Sequence, residues 1–125
     1  MTGSFTSEGE PTLPVHVAGP AEALDVDAIV DTGFNGELTL PQEQIEALGL
    51  PEASVTTVTL ADGRVREVQM YLAEARLDGQ VRQVFVAEAP TTPLLGTDLL
   101  WGFLLSIEFQ ADGRIDIEPL PDRSA

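Results

Sequence analysis

AIVDTGFNGELTLP, residues 28–41, decides how this chain is read. Three apolar residues, Ala28, Ile29 and Val30, run directly into Asp31-Thr32-Gly33. An acid placed there leaves an apolar strand for a glycine-containing loop, so its carboxylate sits at the rim of a core rather than on an open face. Gly33 and Gly36 let the backbone bend tightly and approach another group closely. The Thr32 hydroxyl can hold such a loop by hydrogen bonds. Taken alone, the tripeptide is equally an ordinary β-turn, because Asp and Gly are favoured turn residues. The flanking sequence has to separate the two.

Upstream, residues 12–18 (TLPVHVA) read as a short strand and Gly19-Pro20 as a turn. Leu24, Val26 and Ala28 alternate with Asp25 and Asp27, the period of a half-buried strand. Downstream, residues 37–40 predict a strand, and Pro41 stands as the first residue of a helix that continues from Gln42 to Leu48, with Gly49 as its C-terminal cap. Residues 55–61 and 64–74 are β-rich runs joined by Asp62-Gly63, a strong hairpin signal. A further strand at 80–87 follows the Asp78-Gly79 turn. Residues 90–93 form a loop, Leu94-Leu95-Gly96 follows, and a short helical segment is expected over 97–103. Strands at 104–110 and 114–118 flank Asp112-Gly113. These elements predict one mainly β domain over residues 12–118, with about eight strands and two short helices. Residues 1–11 and 119–125 read as flexible tails.

The bulk numbers narrow the function classes. The chain has 125 residues, 43% of them hydrophobic, enough for one packed domain. With 6 Lys+Arg against 21 Asp+Glu the net charge is −15. Such a surface repels phosphate backbones and anionic membranes, so neither nucleic acid nor membrane is an expected partner. The same charge opposes self-association, so any dimer has to bury apolar surface that overcomes it. The absence of Cys excludes disulfides and thiolate chemistry, and one His, His16, argues against a His-rich zinc site. Asp25 and Asp27 share a strand face with no calcium-loop ligand series around them, so no metal is expected. No basic-then-apolar leader and no membrane-length apolar run are read, which makes the cytoplasm the expected location.

Three elements now stand in order: an apolar run into Asp31-Thr32-Gly33, a hairpin with Asp62-Gly63 at its tip, and Leu94-Leu95-Gly96 leading into a short helix. Over roughly residues 12–110 this pattern resembles the retropepsin-like aspartic peptidases. Within them it is most similar to small single-domain bacterial or archaeal members whose motif reads Asp-Thr-Gly-Phe. The resemblance implies an acid-protease closed β-barrel with one or two short helices, no cofactor, and an aspartic endopeptidase acting on peptide or protein substrates. Peptide hydrolysis of this type needs two adjacent carboxylates that share a proton, because they cannot both ionise at that distance. The ionised one activates a water; the protonated one donates to the peptide carbonyl oxygen and then helps the amine leave. This chain holds one Asp-Thr-Gly, so the second aspartate has to come from another copy, and a homodimer with a two-fold axis between the Asp31 side chains is the simplest solution.

By the same resemblance, Asp31, Thr32 and Gly33 form the catalytic set. Thr32 locks the two loops across the axis, and Gly33 hydrogen-bonds substrate or carboxylate through its backbone. Phe34 and Asn35 stand beside the aspartates. Asp62, Gly63 and Arg64 lie at the tip of a flap over the peptide, and Leu94, Leu95 and Gly96 shape the cleft. Phe34 replaces a residue that is small in viral members, which predicts a narrower pocket. Thr97 replaces their Arg after the glycine, so the ion pair they make with a loop acid is absent. Trp101 and Phe103 read as core or dimer-interface residues, and His16 as a surface or half-buried strand residue. The same fold without catalysis, serving as a peptide-binding or dimerisation module, is the alternative. An unrelated acidic β-barrel would require both motifs to be coincidence.

Overall fold

The computed structural model describes residues 1–121. The chain begins with β1 (Ser4–Phe5), β2 (Pro11–Ala18), β3 (Ala23–Val30) and β4 (Leu38–Leu40), then helix α1 (Gln42–Leu48). It continues with β5 (Glu52–Thr59), β6 (Val65–Leu77), β7 (Gln80–Glu88) and β8 (Leu94–Leu95), then α2 (Thr97–Leu100), β9 (Phe103–Ile107) and β10 (Ile115–Pro119). Eight strands form one sheet in the order β1-β2-β3-β8-β4-β7-β6-β5, and β2 also pairs with β6. That last pairing, His16–Ala18 against Glu74–Arg76, brings the ladder back to its start and makes a ring of six strands. The mainly β architecture expected from the sequence is therefore present, and β9 and β10 add a separate two-stranded sheet.

The core follows the alternation of the strands. Leu13, Val15 and Val17 of β2, Val26 and Ala28 of β3, Ala73, Ala75 and Leu77 of β6, and Val84 and Val86 of β7 all point inward and are buried. Most of the alternating residues face water, and Asp25 Oδ1 there accepts from His16 Nδ1–H at 2.7 Å. Leu38, Leu40, Leu95 and Leu99 complete the core beneath the Asp31 loop. Truncating a leucine at such a site typically costs about 2–5 kcal/mol.

Turn chemistry sets the connections. Asp78 and Gly79 both have positive φ, 49° and 77°, and join β6 to β7 with Leu77 opposite Gln80, a two-residue hairpin. Between β5 and β6 the loop is one residue longer: Leu60 N–H donates to Arg64 O at 2.8 Å, and Gly63 takes φ 85°. Pro41 is extended (φ −61°, ψ 151°) and caps α1 from outside rather than forming its first residue, while Gly49 closes it in the left-handed region at φ 68°.

Three expectations change. The helix read over 97–103 stops at Leu100, because Trp101 leaves helical geometry (ψ 129°) and Gly102 takes φ 92°, turning the chain into β9. The first eleven residues, read as a loose tail, are paired. Ser4 and Phe5 lie against Thr12 and Pro11, and Thr2 bridges Asp116. Gly3 N–H donates to Ile115 O at 2.9 Å, and Ile117 N–H donates to Met1 O at 3.0 Å. The polar composition of this stretch hid that backbone pairing. Of the predicted C-terminal tail, Pro119 belongs to β10 and Leu120 N–H donates to Gly102 O at 2.9 Å. Residues 122–125 lie outside the described residues.

Candidate active site

β3 carries Ile29 and Val30 alongside Leu94 and Leu95 of β8 in parallel register, so both apolar motifs of the sequence end at the same level. Asp31 N–H donates to Leu95 O at 3.0 Å, which makes Asp31 the first residue to leave the sheet. Its Oδ1 accepts the Gly33 N–H at 2.9 Å, and Phe34 N–H returns to Asp31 O at 3.1 Å. The carboxylate is thus oriented by its own turn while it remains partly open to solvent. A Cβ on residue 33 would lie 3.2 Å from that same Oδ1, so the glycine keeps the carboxylate uncrowded. Thr32 and Asn35 are exposed, and among the described residues neither side chain has a hydrogen-bond partner.

The far half of the loop is stitched to α2. Thr97 N–H donates to Phe34 O at 2.9 Å, Asp98 N–H to Gly36 O at 3.2 Å, and Gly96 N–H to Glu37 O at 3.0 Å. Gly96 is a packing requirement: a Cβ there would collide with Gly36 O and would meet Phe34 O and the Phe34 ring at 2.7 Å. A Cβ on Gly36 would meet the same ring at 2.6 Å. The Phe34 ring is therefore seated against both glycines.

Leu94 is half-buried and donates its N–H to Thr39 Oγ1 at 2.9 Å. Leu95 and Gly96, expected to pack beside the loop and help shape the cleft, are both buried, Leu95 with no exposed surface. β8 lies in the sheet between β3 and β4 and pairs with the end of β3, directly beneath the loop. Asp62, Gly63 and Arg64 stand apart from this cluster. The Arg64 Nε bonds Asp62 Oδ2 at 2.6 Å, and Arg64 N–H donates to Asp62 Oδ1 at 3.0 Å, which stiffens the tip internally. Among the described residues no hydrogen bond joins the tip to the Asp31 loop. All of β5 and residues 60–67 are exposed, so the arm buries no side chain fully among the described residues.

Three supporting residues were not read from the sequence. Glu37 Oε1 accepts Phe85 N–H at 2.9 Å, tying the loop's exit to β7. Thr39, buried in an apolar strand, supplies the acceptor for Leu94; a lone hydroxyl in LTL was the available signal. Arg82 donates to Leu99 O at 3.1 Å and Trp101 O at 2.9 Å, satisfying carbonyls at the end of α2. Among the described residues no group of three or more His, Asp or Glu side chains gathers as a metal site, and no helix is long and apolar enough to cross a membrane.

Comparison with known proteins agrees with this geometry. No curated protein matches the chain. Among solved structures, the chain is similar to the EIAV protease complexed with the inhibitor HBY-793, at a TM-score of 0.56 and 18% identity, over 78% of this chain and 90% of that one. At that identity the likeness speaks for the fold. The family described as "Aspartyl protease" matches residues 13–99, a span that contains the Asp31 loop, the exposed hairpin and Leu94-Leu95-Gly96. The chain belongs to the aspartyl protease family and carries a retropepsin-like fold.

Proposed function

We propose that the protein is an aspartic endopeptidase that works as a homodimer, with Asp31 of each copy contributing one carboxylate of the catalytic pair. The observation that carries this is the Asp31 loop. One carboxylate per chain is held by the Gly33 N–H, left open to solvent, and fixed from below by β8 and α2. A single carboxylate oriented this way cannot be both the base for water and the acid for the leaving amine, so the chemistry is complete when two loops face each other.

In that arrangement the ionised Asp31 takes a proton from a water as the water attacks the peptide carbonyl, and the protonated Asp31 donates to the carbonyl oxygen. The C–N bond then breaks as the first Asp31 passes the water's proton to the amine and the second takes back the proton from the diol oxygen, which re-forms the carbonyl and restores the pair. Thr32, exposed and without a side-chain hydrogen bond among the described residues, would brace the opposite loop. The β5–β6 arm, with Asp62, Gly63 and Arg64 at its tip, would close over an extended peptide, which its own chain leaves uncovered. Phe34, Leu95 and Gly96 act from within by setting the loop's shape.

The test is cleavage of a mixed peptide library by wild type and by Asp31→Asn, a change that keeps the shape and removes the base. Cutting by wild type alone supports the pair. Equal cutting by both removes Asp31 from the mechanism. A folded dimer that cuts nothing favours a non-catalytic peptide-binding module on the same fold.

A further inference from the structure

Trp101 is 80% exposed, yet it is not loose. Its carbonyl accepts from Arg82 Nη2 at 2.9 Å, and the same guanidinium lies 5.1 Å from the centroid of the adjoining Phe103 ring. The next carbonyl, of Gly102, accepts from Leu120 N–H at 2.9 Å, and Gly102 takes φ 92° to turn the chain. An indole is thus held outward on a braced turn, above a hollow of about 490 Å³ lined by Thr97, Leu100, Gly102, Phe103 and Leu120. None of these residues is ionisable. An exposed aromatic on a braced backbone turn beside an apolar hollow has the make-up of an interface anchor.

We propose that this face docks a second copy of the chain, with Trp101 as its anchor; the inference rests on the paired-Asp31 mechanism and specifies where its two halves meet. Two observations select a second copy as the occupant. First, each chain carries −15, so two copies meet with least repulsion through surface free of carboxylates, and this hollow has none in its lining. Second, the face is continuous with the loop that has to find its copy: α2 runs from Gly96 to the Trp101 turn, and its first N–H groups hold Phe34 O and Gly36 O. Four helical residues span only about 6 Å. Exchange of the C-terminal strand is a less direct route, because β10 already has β9 on one edge and residues 1–3 on the other.

Trp101 is the one tryptophan in the sequence, so its fluorescence reports the contact directly. Wild type is diluted while emission and sedimentation are followed together, and Trp101→Ala and Leu120→Ser are compared by sedimentation and by cleavage of a peptide pool. The expected result is a red shift on dilution that coincides with dimer dissociation. Both variants keep the wild-type circular dichroism, dimerise more weakly, roughly thirty-fold or more for Trp101→Ala, and recover activity at high protein concentration. A wild-type dimer whose emission stays that of a solvated indole, or a Trp101→Ala chain that dimerises like wild type, overturns the docking face and leaves the paired aspartates standing. A wild type that cleaves peptides as a monomer at every concentration overturns both.

Discussion

Replacing Gly96 by Ala puts the loop–helix seam under the most direct stress. Gly96 has φ −99° and ψ 177°, a conformation open to alanine, so backbone strain contributes nothing and the effect is purely one of space. The added Cβ would collide with Gly36 O and press on Phe34 O and the Phe34 ring. Two of these atoms are backbone, so relief requires the Asp31 loop and α2 to separate. Separation strains or breaks three hydrogen bonds, from Gly96 to Glu37, Thr97 to Phe34 and Asp98 to Gly36. At about 1 kcal/mol each, the loss is about 3 kcal/mol. The stiffer unfolded chain returns roughly 0.4–1 kcal/mol. The net destabilisation of about 2–3 kcal/mol should lower Tm by roughly 10 °C in a domain of this size. Displacing the carboxylate by about 1 Å should cut kcat/KM by about 100-fold. Urea unfolding and cleavage of one fixed peptide measure the two effects separately. Gly36→Ala, whose Cβ meets only the Phe34 ring, should be milder in both. Wild-type stability and activity for Gly96→Ala would refute the seam as the device that positions Asp31.

Other perturbations separate neighbouring roles. Phe34→Leu should cost about 1–2 kcal/mol, as a partly buried ring loses its seat, and should lower kcat while the set of cleaved peptide bonds stays the same; a changed cut-site pattern in the digest would return the ring to the cleft. Asp62→Ala removes the bonds that stiffen the hairpin tip and should leave stability within about 0.5 kcal/mol while KM for a long peptide rises; an unchanged KM would remove the tip from substrate binding. Because both partners carry −15, raising the salt should tighten the dimer by screening repulsion. Sedimentation at two ionic strengths checks this, and a dimer that weakens with salt would point to an interface made of ion pairs.

The sequence exposed those features that local rules determine. Alternation in residues 23–30 puts Val26 and Ala28 inside and Asp25 and Asp27 outside, as observed, and Asp78-Gly79 makes the two-residue turn that its composition demands. The two motifs also meet, since Val30 and Leu95 are parallel neighbours. What stayed hidden depends on backbone atoms or on distant packing. Residues 1–5 pair through N–H and C=O groups that any residue supplies, so a polar stretch looked like a tail. That Leu95 is wholly buried follows from its strand lying between β3 and β4, a pairing that the local sequence does not encode. The seat of Phe34 between Gly36 and Gly96 joins positions about sixty residues apart in the chain, which no local period encodes. Trp101, read as core or interface, is 80% exposed and so is not a core residue; the Gly102 turn that ends α2 early lies directly after it.

The central claim is that each chain supplies one half of a shared catalytic pair, and mixing chains tests it most directly. Wild type is held at a fixed concentration well above that at which dimers dissociate, an equal amount of Asp31→Asn chain is added, and peptide cleavage is measured after exchange. Random pairing leaves a quarter of the doubled dimer population fully wild type, so activity should fall to about half of its starting value. Activity that is unchanged by the added variant, with exchange verified by a labelled chain, would contradict the account, because each wild-type chain would then be cutting without its partner's aspartate.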